Sequence, residues 1–291
     1  MAVGMVADFA LKESKRRERE AMREYMMRTS QRPRPLPTGH WAMTQRWNDL
    51  LMAHWPVSAA AVSALLPDGV QVDTFHGSAW LGVTPCWMDR IRLRNLFPLP
   101  GARSFPDLTL RTYVRDQRTG TPGIYLFSKD ANNLLAVLMG RGFCSFPIHW
   151  AEMRLTQRSR REFEFYSRRR FSSQPVIFKA RYRGLGPSSR LAEMRSGTLE
   201  NFLTERYCLF LRNRAGQALR ANIHHIPWPL EEAEAVIEQN DLAASIGIQL
   251  SDEEPVLYYM RRLALYIWPT ELVRPVLAAR PVTVAVTQAS S

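Results

Sequence analysis

Val176-Ile-Phe-Lys-Ala-Arg-Tyr-Arg183 alternates apolar Phe178, Ala180 and Tyr182 with basic Lys179, Arg181 and Arg183. An apolar side chain at every second position marks a half-buried strand, because successive side chains leave a strand on opposite faces. Glu162-Phe-Glu-Phe165 repeats the pattern, and opposite charges on neighbouring strands offset part of the repulsion. Working outward, Val70-Gln-Val-Asp73, Ala79 to Met88, Leu108 to Val114 and Gly123 to Ser128 are rich in β-branched and aromatic residues and read as strands. Tyr207 to Arg212 and Gln217 to His225 flank Asn213-Arg-Ala-Gly216 as a hairpin, and Pro255 to Trp268 supplies a last long strand. Helices are few: Ala59 to Leu66 capped by Ser58, a run carrying Leu134, Leu135 and Leu138 capped by Asp130, and a turn or two around Leu199, Phe202 and Leu203. The expected class is α+β, mainly antiparallel β and barrel-like.

The 291 residues suffice for one large domain, and 46% apolar with 23% charged residues is an ordinary globular balance. No apolar run is long enough to span a bilayer as a helix, and Met1 to Ala10 runs into Lys12-Glu-Ser-Lys-Arg-Arg17 without the form of a signal peptide. Cys86, Cys144 and Cys208 lack metal-ligand spacing, so neither a disulfide scaffold nor a zinc ribbon is expected. These features predict a cytoplasmic protein without a membrane span. The reading assigns residues 1–38 to a basic helical extension with a Pro-rich linker, 39–275 to a single domain and 276–291 to a tail. Its helical run ends at Arg32-Pro-Arg-Pro-Leu-Pro37 and is expected to be loosely attached and dispensable for folding.

The net charge of +12 is concentrated in residues 1–40 and 154–195, on an otherwise nearly neutral body. The second region reads as a solvated basic strand face. Its functional alternative is an interaction surface for an acidic partner or nucleic acid. No base-reading motif accompanies it, so any nucleic-acid binding is expected to be weak and non-specific. His224-His225 sit on opposite faces of a strand and do not suit one metal ion. No metal or cofactor is expected. The clusters that stand out are Trp47 to Pro56 with His54 and Trp55, Arg111-Thr-Tyr113, and Thr204-Glu-Arg-Tyr207. Each also has a structural explanation as core packing, an ion pair or a helix cap.

Thr44-Gln-Arg-Trp-Asn-Asp-Leu-Leu-Met-Ala-His-Trp-Pro56 resembles the opening of the YqjF-like proteins, a bacterial family without an assigned activity. The resemblance continues through Leu66-Pro-Asp-Gly69, Asp73-Thr-Phe-His-Gly77, Arg111-Thr-Tyr-Val114, Phe127-Ser-Lys-Asp-Ala131, Leu203-Thr-Glu-Arg-Tyr207 and His225-Ile-Pro-Trp-Pro229. That family is similar to acetoacetate decarboxylase, which implies a cone-shaped antiparallel barrel around an internal cavity. Asp107 and Thr109 stand where the family has Glu and Asn, and Lys129 where Leu is usual. In acetoacetate decarboxylase a Gly-Arg pair is followed, after four residues, by an aromatic, a proline and two lysines. Here Gly140-Arg141 and Phe146-Pro147 match, whereas Ile148 and His149 replace the lysines.

The leading expectation is therefore a cavity for a small organic acid or keto compound, without Schiff-base decarboxylation. Arg111, Tyr113, Arg141, His54 and Trp55 are its candidate ligand-binding residues. Glu205 and His149 are the candidates for lyase- or isomerase-like proton transfer, should the protein be an enzyme. Lys129, the one conceivable substitute amine, reads as a surface residue at a strand end. The rival reading is a non-catalytic interaction protein working through residues 154–195.

Overall fold

Strands dominate the computed structural model, which describes residues 13, 16, 17, 20–95, 104–143, 145–187, 191 and 196–275. They are β1 (Met43–Val57), β2 (Val70–Val72), β3 (Ala79–Leu93), β4 (Ser104–Asp116), β5 (Pro122–Ala131), β6 (Ile148–Gln157) and β7 (Glu162–Arg169). There follow β8 (Ile177–Pro187), β9 (Cys208–Arg212), β10 (Ala218–His224), β11 (Leu230–Asn240), β12 (Val256–Ile267) and β13 (Glu271–Leu272). Hydrogen bonds lead from β5 through β6, β7, β8, β11, β12, β1, β3 and β4 back to β5. A shorter circuit runs β5, β9, β10, β12, β1, β3, β4 and again β5. Pairing is antiparallel except where β5 meets β6 and β9.

Among the strands shared by both circuits, β1, β4, β5 and the first half of β3 are buried on both faces. In β1, Leu50 and Met52 enter one core while Leu51, Ala53 and Trp55 enter the other. This double burial removes the apolar–polar alternation, which is why β1 does not stand out in the sequence. Three irregularities then re-aim the strands. Asp49 takes a positive φ of 49° where the β1–β3 register shifts; the Tyr182 hydroxyl donates to its carbonyl (2.7 Å) and that of Tyr259 to its carboxylate (2.6 Å). Arg90 adopts the same φ in β3. In β5 an extra residue lies between the partners of Leu110 and Arg111.

The short helices follow their caps. Ser58 caps Ala59–Ser63 as expected. Asn133 Oδ1, not Asp130, accepts from the backbone of Ala136 in helix Leu134–Phe143. Asp130 lies inside β5, buried and ion-paired with Arg169 at 2.8 Å. Among the described residues, no helix is long and apolar enough to cross a membrane. The predicted tail at 276–291 lies outside the described residues.

The basic strands are not a free cationic face. β8 pairs with β11, whose glutamates meet the ladder: Lys179 reaches Glu238 at 2.7 Å and Arg183 reaches Glu234 at 2.7 Å. Arg161 pairs with Glu231, and the middle residue of Arg168-Arg169-Arg170 is the buried partner of Asp130. Exposed pairs contribute little to stability, but they cancel the local field.

The N-terminal segment also departs from expectation, because it is docked rather than loosely attached. Residues 20–27 are helical, and the Tyr25 hydroxyl donates to the Ala264 carbonyl at 2.6 Å. Gln31 donates to the His225 carbonyl, Arg32 to that of Ile223 at 2.7 Å, and Arg34 to the Thr121 hydroxyl. These bonds satisfy groups along β10 and β12 that truncation would expose.

Two outcomes follow. Removing residues 1–38 lowers the melting temperature by on the order of 5–10 °C, given roughly 1 kcal/mol per lost bond; an unchanged melt would show that the docking contributes nothing. Unrelated DNA duplexes titrated at physiological salt bind more weakly than about 1 μM, because the basic ladder is already paired; tight binding to one sequence would contradict this.

Candidate functional site

A cavity of about 750 Å³ lies against the face of β1, β3, β4 and β5 that fronts the shorter circuit. The irregularities decide which side chains reach it. Gln45 and Trp47 line it before Asp49, and Leu50 after it. Thr84, Cys86 and Met88 line it before Arg90, and Ile91 and Leu93 after it. On β4 the unbroken alternation presents Phe105, Asp107, Thr109 and Arg111. On β5 the parity changes from Ile124 and Leu126 to Lys129 and Ala131. The extra residue of β5 is thus what turns Lys129 inward.

Two polar groups face this space. In the first, Lys129 Nζ lies 2.6 Å from Asp107 Oδ1, while the Thr109 hydroxyl donates to Asp107 Oδ2 at 3.3 Å. The surface placement expected for Lys129 is therefore corrected. Its side chain is buried, and β5 sets it beside Ile148 of β6. In the second, Arg111 is only 2% exposed. Its Nε and one terminal nitrogen have no hydrogen-bond partner, and among the described residues no carboxylate pairs with it. Its guanidinium lies over the Trp228 ring at 5.6 Å, and Trp228 packs on Trp47. Both indole N–H groups are also buried without an acceptor. A cluster of donors without acceptors costs free energy unless something supplies the acceptor.

Of the seven candidate ligand-binding and proton-transfer residues, only Arg111 lines the cavity. Tyr113, on the same face of β4, is fully buried beyond it and meets His54 Nε2 at 2.7 Å. Trp55 faces the opposite core, because it sits on the other side of β1. Arg141 is exposed and donates to the Ile148 carbonyl at 2.6 Å, fastening the helix to β6. His149 points away from the Ile148 face; burial, with Arg169 and Arg141 nearby, lowers its pKa to about 4. Glu205 ends helix Leu199–Thr204 and accepts from the Tyr207 hydroxyl at 2.5 Å, in a cluster where Arg32 covers the Tyr207 ring. Burial raises its pKa. Asp107, Thr109 and Lys129 are the lining residues that sequence reasoning did not choose. Their departure from the family pattern was the available signal.

His54 adds a pH dependence. Burial first, then the nearby Arg111 charge, hold its pKa well below the ordinary 6.5. The native state binds fewer protons at this site than the unfolded chain once pH falls below 6.5, so its contribution to stability declines in that direction. The unfolding free energy should fall between pH 7 and 5, with a shallower slope in His54→Gln. An equal slope in both would remove His54 as a source.

Comparison with known proteins agrees with this architecture. A family model described as an uncharacterized conserved protein, DUF2071, matches residues 44–264. The uncharacterized protein YqjF of Bacillus subtilis (strain 168) is 39% identical over 234 residues, which cover 80% of this chain and 93% of that protein. Acetoacetate decarboxylase from Legionella pneumophila superposes with a TM-score of 0.53 at 14% identity, over 84% of this chain and 93% of its own. The enduracididine biosynthesis enzyme MppR, solved with pyruvate, gives 0.53 at 10% identity over 82% and 92%. At these identities the solved structures establish the fold alone. The matched span and the YqjF identity together establish the family: the chain belongs to DUF2071, the YqjF-like proteins, and has an acetoacetate decarboxylase-like fold.

Proposed function

We propose that the chain is a cytoplasmic protein whose cavity, enclosed by a cone-shaped barrel, binds a small organic acid or keto compound through Arg111. The observation that carries this reading is the buried guanidinium, whose Nε and terminal nitrogen lack acceptors in the wall of a 750 Å³ cavity. Arginine presents a fixed fork of donors that suits a carboxylate or enolate, and such charge-assisted bonds are strong when desolvated. Two further observations support it. The strand pairings close two circuits around the interior, and an enzyme of the same fold was solved with pyruvate.

The Asp107–Lys129 pair gives the site a second function, donating from Lys129 a hydrogen bond that polarises a ligand carbonyl. Lys129 is not read as an imine-forming nucleophile. Its nitrogen is engaged by a carboxylate at 2.6 Å, and an ion-paired ammonium has no lone pair to attack a ketone. The positions matching the decarboxylase lysines hold Ile148 and His149, neither of which can form an iminium. The rival interaction-surface reading loses support from the β11 glutamates that meet the basic ladder.

A panel of carboxylates and the matching primary alcohols, followed by thermal shift, tests the binding. At least one carboxylate should stabilise the wild type saturably, and Arg111→Met should weaken that binding by about tenfold or more, the value of one or more charge-assisted bonds. Binding of no carboxylate, or binding indifferent to Arg111→Met, would contradict the proposal. Borohydride reduction with a keto acid should leave Lys129 unmodified; an adduct there, lost in Lys129→Ala, would reinstate a Schiff-base route.

A further inference from the structure

The cavity offers one buried unmatched charge, two arginines (Arg92 and Arg94) toward its mouth, and a great deal of apolar wall. Asp107 and Lys129 face one another, so Arg111 is the buried charged lining residue left without a counter-ion among the described residues. Away from it, Met88, Ile91, Phe105, Ile148 and Leu265 line the space. Ile148 deepens this apolar character, since its side chain lies directly against Gly140, where an added Cβ would come within 2.2 Å of it. Burial also changes along the cavity. Arg111, Cys86 and Leu50 are at most 2% exposed, whereas Arg92 and Asn95 are solvent-exposed lining residues. The charge therefore sits at the closed end, and the apolar wall runs toward solvent.

A three-carbon acid fills only a small part of 750 Å³, a volume typical of sites for drug-sized ligands. Bound at Arg111 it would leave the aromatic and aliphatic wall in contact with trapped water, which forfeits most of the available binding free energy. Accordingly, and resting on the anion-binding reading of Arg111 above, we infer that the ligand is an amphipathic monocarboxylic acid. Its carboxylate meets Arg111, and an aliphatic or aromatic body longer than that of the small keto acids lies along the cavity toward Arg92.

The polarity of this arrangement has consequences for the ligand. A dicarboxylate too short to reach Arg92 and Arg94 would bring its second charge among apolar side chains such as Met88 and Phe105 without a partner, at a high desolvation cost. An uncharged alcohol of equal length would fill the wall but leave the guanidinium unmatched. Specificity thus combines one charge requirement with one length requirement, and the two are separable by experiment.

Isothermal titration of the full chain with straight-chain monocarboxylates from butanoate to dodecanoate, together with pyruvate, acetoacetate, octanol and suberate, makes that separation. Affinity should rise by up to roughly fourfold per added methylene until the wall is filled, the value of burying one CH₂. Octanoate should bind at least tenfold tighter than pyruvate, octanol or suberate, and Arg111→Met should remove the advantage of octanoate over octanol. Met88→Trp, which shortens the available wall opposite Phe105, six residues along β4 from Arg111, should cut the affinity for long acids more than for butanoate. If pyruvate or acetoacetate binds as tightly as octanoate and that binding still depends on Arg111, the amphipathic ligand is wrong while anion binding stands. If octanol matches octanoate and Arg111→Met changes nothing, both the inference and the anion-binding reading fail.

Discussion

Arg111 holds a guanidinium inside the sheet at 2% exposure, and among the described residues no carboxylate pairs with it. A buried charge in this state is costly in an isolated fold, because no counter-ion among the described residues offsets the lost hydration. Much of the surrounding geometry keeps it there. β4 carries it inward on an unbroken alternation, Trp228 and Tyr113 pack against its plane, and His54 stays neutral nearby. Close approach is part of the design: an added Cβ on Gly82, opposite Arg111 on β3, would lie 2.5 Å from the His54 ring. Any residue larger than glycine there would displace that ring.

The two circuits of strands give this arrangement its rigidity. Because β1, β3 and β4 belong to both, each presents one face to the cavity side and the other to a second apolar core. Movement of a cavity residue therefore disturbs packing on the far side, which favours a preformed site. The N-terminal segment adds a cover. Met22 and Trp41 join the lining, and the bonds from Tyr25, Gln31 and Arg32 tie that cover to β10 and β12. The extension is thus part of the site's enclosure, although the family match begins only at residue 44.

How far the sequence exposes this depends on local regularity. β8 and the β9–β10 hairpin show plain alternation or a clear turn, and their reading agrees with the structure. β1 and β11 do not: one is apolar on both faces, and the other is built largely from Glu and Ala, which favour no strand by propensity. Arg111 was legible because β4 keeps strict parity from Phe105 to Tyr113. Lys129 was not, because a single extra residue in β5 reverses its face, and period-2 reasoning carries no sign of such a bulge. The basic stretch misled for a related reason. Its counter-charges come from β11, more than fifty residues later, and only the pairing of β8 with β11 brings them together. Glu205 and Trp55 come from local clusters and Arg141 and His149 from a motif resemblance, and none of these signals says which face of its element a side chain occupies.

A guanidinium kept for a ligand burdens the unliganded fold, and urea unfolding of extensively dialysed wild type and Arg111→Met measures that burden directly. Methionine removes the unpaired buried charge and keeps an unbranched apolar side chain in its place. The account predicts that Arg111→Met is more stable than the wild type by about 1 kcal/mol or more, with an unchanged m-value. A variant destabilised by about 1 kcal/mol or more would show that Arg111 is a structural element of the core, and would contradict the account.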